Sequence, residues 1–325
     1  MHFDITDELL LYKTIGGSRL YGTYNEDSDT DYRSICIPPL YISWGISYHF
    51  ETEVKHNEFN EFGDYEIHSL AKFLNLASAN NPNIIEILFT PEDKILLLDS
   101  SFKKILDNRD IFITKRAQHT FSGYAYAQLK RIKNHKAWLL NPIDHKPTRE
   151  EFNLPVTGML FDNTFINAAL QLSDEQLELL GLPEEKHIYL VQEKNYLIAK
   201  RHYDQYQNWL TTRNPARAVL EAKYGFDTKH GTHLIRLLRM AKEIGEGKGV
   251  IPDRRGIDAD FLKSIRFDGA LTYDELIQEA DKLKTEIDAA FAISKLPHSP
   301  DLDIINQLYL DVCFEKYGIE CLATS

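Results

Sequence analysis

The sequence contains few cysteines and no long apolar run. Its three cysteines, Cys36, Cys313 and Cys321, are widely separated and follow neither a metal-binding nor a disulfide-framework spacing, which indicates a reducing compartment. No stretch approaches the roughly eighteen consecutive apolar residues of a membrane-spanning helix, and the first four residues lack the basic and apolar regions of a signal peptide. We therefore expect a cytoplasmic protein without a membrane partner.

Positive charge is also scarce. The 37 Lys and Arg residues face 49 Asp and Glu residues, so the formal net charge is −12, which argues against a protein that coats nucleic acid over its whole surface. A local basic groove is compatible with this balance. The P-loop pattern G-x-x-x-x-G-K-[ST] is absent, which excludes a P-loop NTPase. The 325 residues, 43% hydrophobic and 26% charged, have room for two domains with a sizeable core.

A short glycine-rich segment, Gly16-Gly17-Ser18, precedes the aspartates Asp29 and Asp31. The glycines let the backbone approach a ligand closely, and their N–H groups can form an anion-binding nest together with the Ser18 hydroxyl. Two carboxylates at positions i and i+2 point to one face of a strand and repel each other, and Mg²⁺ is the simplest compensating ion. A phosphate cradle beside a metal site is the minimum equipment for nucleotidyl transfer.

A calcium loop is the closest alternative interpretation of the aspartates. Asp27, Asp29 and Asp31 occupy its positions 1, 3 and 5, but position 6 is Tyr32 where glycine is needed, and position 12 is Pro38 where a bidentate glutamate is needed. The cysteines and histidines show no zinc spacing either. These mismatches favour magnesium.

The periodicity of the sequence predicts an α+β fold. Residues 31–37 alternate as a strand, and residues 48–54 and 63–68 are expected to form a hairpin, in which Asp64 and Glu66 share one face. Periodicity alone does not decide which of these two acids is a third carboxylate of the site.

Helical periodicity begins at Ser69 and dominates from about residue 100. We predict a small mixed β-sheet domain flanked by helices, the nucleotidyltransferase domain, over residues 1–110. A mainly helical domain follows over residues 111–325, in which residues 141–213 have no assigned role.

Two segments of the helical part are basic. Residues 111–143 contain six Lys or Arg and no Asp or Glu, with Phe121, Tyr124, Tyr126 and Trp138 among them. This composition fits a groove for nucleic acid or a triphosphate, and equally a surface helix whose apolar stripe lies on the core.

The second basic segment is a predicted helix from Lys229 to about Ile244. On it Lys229, His233 and Arg236 share a face, and Arg239 lies beside that face. This arrangement favours a cleft that binds an anion, and the alternative is a solvated stripe.

Five segments together resemble one branch of the DNA polymerase β-like nucleotidyltransferases, the RlaP family of a predicted RNA repair pathway. They are GSRLYGT at 17–23, SDTDYR at 28–33, IPP at 37–39, NNPNIIEILF at 80–89 and KYGFDTKH at 223–230. The resemblance covers most of residues 9–140 and 214–256. It departs from the superfamily pattern at Thr30, where an aliphatic residue is usual between the two aspartates.

The resemblance implies a metal-dependent enzyme that transfers NMP from an NTP, such as ATP, to an acceptor hydroxyl, with an RNA 3′ end as the expected acceptor. It implies two Mg²⁺ ions, or Mn²⁺, held by Asp29, Asp31 and Asp64, with Glu66 as the alternative third carboxylate. We expect RNA to bind through residues 111–143. The expected nucleotide-binding residues are Gly17, Ser18, Lys229, His233, Arg236 and Arg239, with Arg19 and Arg33 as weaker candidates.

Two other functions stay open on the sequence. One is transfer to a protein or small-molecule acceptor, as in AMPylation, and the other is nucleotide binding by a regulator that has lost catalysis. The intact set of Asp29, Asp31 and Asp64 argues against loss of catalysis, and the basic segment favours a nucleic-acid acceptor. No feature of the sequence indicates an oligomeric state.

Overall fold

The computed structural model describes residues 5–46, 49–55, 63–157 and 160–318. Cys321, the first four residues and the predicted hairpin tip lie outside these ranges, apart from Gly63. The strands are β1 (Leu10–Ile15), β2 (Tyr32–Cys36), β3 (Thr52–Lys55), β4 (Tyr65–Ser69) and β5 (Ile95–Leu98). The helices are α1 (Gly17–Tyr21), α2 (Leu40–Ser43), α3 (Leu70–Ser78), α4 (Pro82–Leu88), α5 (Ser100–Asp107), α6 (Arg116–Leu140), α7 (Asn163–Ala169), α8 (Asp174–Glu178), α9 (Glu184–Thr212), α10 (Pro215–Tyr224), α11 (Thr228–Gly245), α12 (Ala259–Lys263), α13 (Tyr273–Ile293) and α14 (Leu302–Tyr317).

The five strands form one mixed sheet in the order β3-β4-β2-β1-β5. The β2–β4 pair is parallel, and the other three pairs are antiparallel. Because successive strand residues point to opposite faces, Ile35 packs in the main core and Cys36 in a small cluster on the other face. The predicted α+β class, a small mixed sheet with flanking helices followed by a mainly helical part, is confirmed.

The chain divides into two compact units, one of residues 1–132 and 223–325, the other of residues 133–222. This division does not coincide with the boundary expected near residue 110, because a single core combines residues of β1, α3 and α4 with residues of α11 and α13. The first unit is therefore discontinuous along the chain.

The last helix of the first unit, α14, packs against α3 and α5. Lys316 pairs with Asp99 at 2.8 Å, and the Tyr317 hydroxyl donates to the Pro38 carbonyl at 2.6 Å. The C-terminal helices thus cover apolar surface of the sheet domain.

The second unit, which contains the whole segment without an assigned role, is helical. A buried aromatic cluster of Trp138, Tyr206 and Trp209 holds α6 to α9, and Arg149 forms two 2.7 Å bonds with the buried Glu193. Ser173 caps α8 in a capping box with Gln176. Among the described residues, no helix combines the length and apolarity that a bilayer crossing needs.

Candidate active site

Asp31 and Asp64 are neighbours because β2 and β4 run parallel and begin at the same level of the sheet. Tyr32 pairs with Tyr65, and the Tyr32 N–H donates to the Asp64 carbonyl at 2.9 Å. The Asp64 N–H in turn donates to Asp31 Oδ1 at 3.1 Å. Asp31 and Asp64 each come directly before their strand. Asp29 and Asp31 were expected to lie on a strand, but both lie in the loop before β2.

The glycine segment lies directly against Asp31. The Gly16 N–H donates to the Asp31 carbonyl at 2.8 Å. Gly17 has φ +59°, and a β-carbon at that position would lie 1.9 Å from Asp31 Oδ2. Only glycine fits both the backbone angle and the space. Ser18 follows in the single turn of α1, and its carbonyl accepts the Thr23 N–H at 2.9 Å.

The electrostatics of the site disfavour ionised Asp31. Burial raises the pKa of the Asp31 carboxyl, the charges of Asp29 and Asp64 raise it further, and Arg33 opposes them. Asp29 is exposed, and no described cation forms an ion pair with Asp29 or Asp31. Repelling carboxylates of this kind fit a hard divalent cation.

The three carboxylates do not form a closed ligand shell. In the part of the chain that the structure describes, the carboxylate oxygens of Asp29, Asp31 and Asp64 do not all lie within 4.8 Å of one another. The set therefore fits an ion only after side-chain movements.

Glu66, the alternative third carboxylate, is engaged elsewhere. Its oxygens lie 3.3 Å from Arg33 Nε and 3.3 Å from His68 Nε2. The hydrogen bond from His68 lowers the pKa of the Glu66 carboxyl. The structure thus brings Asp64, and not Glu66, into hydrogen-bonding distance of Asp31 through its backbone.

A buried network joins α1 to α4 and α11. The Tyr21 hydroxyl donates to Glu86 Oε2 at 2.6 Å, Arg236 bonds the other oxygen of Glu86, and the Arg236 guanidinium lies 3.6 Å from the Tyr21 ring centroid. The Glu86 and Arg236 side chains are only 2% and 3% exposed. Arg236 was expected to bind nucleotide. It instead neutralises Glu86 inside the fold, because a buried carboxylate needs a partner.

The other residues of the predicted basic face have different environments. Arg239 pairs with Asp258 at 3.0 Å and Glu279 at 3.2 Å, contrary to the expected nucleotide contact. The His233 ring lies edge-on to the Tyr21 ring, with 6.4 Å between the ring centroids. Burial, and secondarily the positive charge of nearby residues, holds the pKa of His233 well below its usual value. His233 is therefore neutral and suits hydrogen bonding rather than charge neutralisation. Lys229 is half-buried in the first turn of α11.

The basic segment 111–143 is mostly the helix α6, and most of its aromatic residues are not exposed beside its charges. Phe121 is fully buried, and Trp138 is 6% exposed. The Tyr124 hydroxyl accepts a 2.7 Å bond from the Asn81 amide. The exposed residues include the cations Arg116, Lys130, Arg131 and Lys133, together with Tyr124, which is 38% exposed. This helix can therefore contact phosphates, and Tyr124 is its one exposed aromatic residue.

Two residues that support the site were not predicted from the sequence. Glu86 lies within an apolar run, Ile84 to Leu88, and that isolated acid was a signal for a buried ion pair. Arg254 is fully buried between Glu243 and Asp258. Its N–H donates to the Tyr21 carbonyl at 3.1 Å, which holds the end of α1. No local pattern in the sequence predicted this contact.

Comparisons with known proteins agree with the sequence motifs. Residues 5–142 match the family model described as RlaP: RNA repair pathway DNA polymerase beta family. An uncharacterised 38.9 kDa protein in the nrdC–mobD intergenic region of enterobacteria phage T4 is 30% identical over 128 residues. That alignment covers 37% of this chain and 37% of the phage protein, so the chain matches little more than a third of the relative's length. No solved structure matches. The segment that carries Gly17, Asp31 and Asp64 is therefore similar to the RlaP family of polymerase β-like nucleotidyltransferases, as the motifs predicted.

Proposed function

We propose that this protein transfers a nucleoside monophosphate from an NTP to an acceptor hydroxyl, with release of pyrophosphate, and that the acceptor is an RNA 3′ end. The family match supports nucleotidyltransferase chemistry, and its description supports RNA repair. The observation that carries the proposal is the close approach of the Gly17 backbone to the Asp31 carboxylate, which is itself bonded to the Asp64 backbone.

Mg²⁺ is the cofactor that fits the donor set, and Asp29, Asp31 and Asp64 would hold it. Carboxylate oxygens are its preferred protein ligands, and the missing side chain at Gly17 lets the Asp31 carboxylate lie directly against the glycine backbone. When bound, the ion would neutralise charge on the phosphates and lower the pKa of the acceptor hydroxyl. Mn²⁺ takes the same oxygen ligands.

The remaining residues of the site position the substrates. The N–H groups of Gly17 and Ser18 would bind the terminal phosphates of the NTP, as backbone nests bind anions. Lys229 would add positive charge, and neutral His233 would donate a hydrogen bond. Asp64 would accept the proton of the attacking hydroxyl.

The acceptor backbone would bind along α6, where Arg116, Lys130 and Arg131 are exposed. These interactions are electrostatic, so they select phosphate and not sequence. Replacing Lys130 and Arg131 with alanine should weaken RNA binding. It should also reduce the slope of log K against log salt by about 0.7 for each cation that no longer pairs with a phosphate. The NTP affinity should not change.

The decisive experiment combines the full chain and Mg²⁺ with each labelled NTP in the presence of RNA, DNA or no acceptor. Label on RNA 3′ ends supports the proposal. Label on the protein or on a small molecule assigns the chain to the alternative acceptor class, and NTP binding without turnover assigns it to the regulators.

Variants connect this activity to the site. Asp31→Asn and Asp64→Asn should each abolish transfer. Asp27→Asn removes the same charge from an exposed position in the same loop and should retain transfer. Full activity of Asp31→Asn would contradict the proposed metal site.

A further inference from the structure

An exposed tyrosine lies in the loop between α1 and the aspartates. Tyr24 is 37% exposed. Two cations lie over its ring, with Arg19 Cζ at 5.0 Å and Lys263 Nζ at 5.6 Å from the ring centroid. The ring is therefore an aromatic surface with positive charge on it, at the surface of the first unit.

Arg19 connects this ring to the candidate metal site. Its Nε donates to the Asp29 carbonyl at 3.0 Å, and its Nη2 donates to the Ser28 carbonyl at 2.6 Å. One side chain thus spans from the Tyr24 ring to the backbone of Asp29. A group that contacts Tyr24 is within one arginine side chain of the proposed reaction centre.

Lys263 belongs to a different part of the chain. It ends α12 and is followed by a π-helical turn, Ser264–Asp268, a kind of turn that is frequent at functional sites. The Thr228 hydroxyl, at the start of α11, donates to the Arg266 carbonyl of this turn at 2.8 Å. Neither Arg19 nor Lys263 forms an ion pair with a carboxylate in the described ranges, so both have charge available for phosphate.

We propose that Tyr24, Arg19 and Lys263 form a stacking site for a nucleobase near the 3′ end of the single-stranded RNA acceptor. Bases stack on aromatic rings and on guanidinium planes, and cations beside such rings bind the backbone. Within the described residues the Lys263 ammonium has no carboxylate to hold it over the ring, so a base takes its place and the ammonium pairs with a phosphate. This inference rests on the proposed function and adds the place where the acceptor is held.

Two observations favour the acceptor over other sources of a base. Most aromatic residues of α6 are buried or half-buried, and the hydroxyl of its exposed Tyr124 is bonded to Asn81, so that helix offers a single ring for stacking. Lys263 and Arg266 extend the positive charge from Tyr24 along a second element, which suits a chain of phosphates better than one triphosphate. The base of the NTP is the competing source, and the experiment separates the two.

The test measures binding of a short fluorescent single-stranded RNA to the full chain by anisotropy in EDTA, without NTP, so that no chemistry occurs. Tyr24→Ala should weaken binding about tenfold, since one stacked base is lost, and Tyr24→Phe should bind like the wild type. Lys263→Ala should weaken binding severalfold and reduce the slope of log K against log salt by about 0.7. Tyr41→Ala and Lys282→Ala, which alter an exposed aromatic and an exposed cation elsewhere, are the controls.

Steady-state transfer then separates the two sources of a base. Tyr24→Ala should raise the KM for RNA and leave the KM for NTP unchanged. An RNA dissociation constant within twofold of the wild type, or a rise in the KM for NTP alone, would overturn the inference. Because binding is measured in EDTA, weaker RNA binding by Tyr24→Ala does not depend on the metal site. Inactivity of the wild type with every acceptor, by contrast, would count against the proposed function itself.

Discussion

The backbone of Gly17 approaches Asp31 so closely that a β-carbon on Gly17 would lie 1.9 Å from the carboxylate oxygen Oδ2. We therefore expect Gly17→Ala to abolish nucleotide transfer, because the added methyl group displaces Asp31. The φ of +59° adds strain of about 1–2 kcal/mol. The measurements are transfer activity and the free energy of unfolding in urea.

Gly181→Ala is the matched control for this variant. Gly181 has φ +61°, but a β-carbon added there would have no atom within 4 Å, so this variant reports the strain without the clash. Gly17→Ala should lose more stability than Gly181→Ala, because it adds the clash to the strain, and only Gly17→Ala should lose activity. Equal activity of the two variants would show that the close approach to Asp31 has no role.

The charge of Asp31 should destabilise the metal-free protein at neutral pH. The folded state raises the pKa of this carboxyl above 3.8, so the folded protein holds its proton more tightly than the unfolded chain. The resulting stabilisation is complete below about pH 3.8 and is lost as the pH rises through the folded-state pKa. We expect Asp31→Asn to have a higher Tm than the wild type at pH 7 in EDTA.

Magnesium should reverse this order of stability. Mg²⁺ should raise the Tm of the wild type and leave that of Asp31→Asn unchanged, because a ligand that binds only the folded state stabilises it. Differential scanning fluorimetry with and without Mg²⁺ provides the measurement. A lower Tm for Asp31→Asn in EDTA would contradict the electrostatic account.

The buried pair Glu86–Arg236 should be costly to break from either side. Glu86→Gln or Arg236→Met leaves one charge buried without its partner, and we expect a loss of about 3–5 kcal/mol in the free energy of unfolding. The double variant should recover part of that loss, which a double-mutant cycle in urea measures. The exposed pair Lys103–Asp107 is the control, because breaking an exposed pair costs less than about 1 kcal/mol.

His233 should make the protein sensitive to acid. Its folded-state pKa is well below 6.5, so the unfolded chain binds a proton more readily than the folded protein. The stabilisation is present above pH 6.5 and is lost as the pH falls toward the folded-state pKa. The free energy of unfolding should decline below pH 6.5 in the wild type, and His233→Gln should decline less. Parallel pH profiles for the two proteins would exclude this role.

The parts of the fold that follow local rules were predictable. The change from alternation to helical period at Ser69 corresponds to the boundary of β4 and α3, where the Ser69 hydroxyl accepts the Lys72 N–H at 3.3 Å. The strands 52–55 and 65–69 pair antiparallel as expected. These features depend on residues close together in the chain.

The site was predictable only in outline, because its decisive contacts are between distant residues. Asp64 and Glu66 are two residues apart, so alternation places both on the same face of a strand and does not separate them. The parallel register of β2 with β4 does separate them, because it places Asp64 beside Asp31 and Glu66 opposite Arg33. The sequence pattern alone places Arg236 on a solvent-facing stripe of α11. Its burial follows from the pairing with Glu86, which lies 150 residues earlier in the chain. No periodicity in a single sequence reveals such a pairing.

The discontinuous first unit has a consequence for how the protein is made. The strands and α3 are synthesised first, but α11, α13 and α14, which cover their apolar surface, leave the ribosome only after residues 133–222. During synthesis, side chains such as Phe73 and Phe102, on the helices against which α14 packs, therefore stay partly uncovered until the later helices emerge. A fragment limited to the family-matched residues 5–142 should aggregate instead of folding, even though it contains all three aspartates.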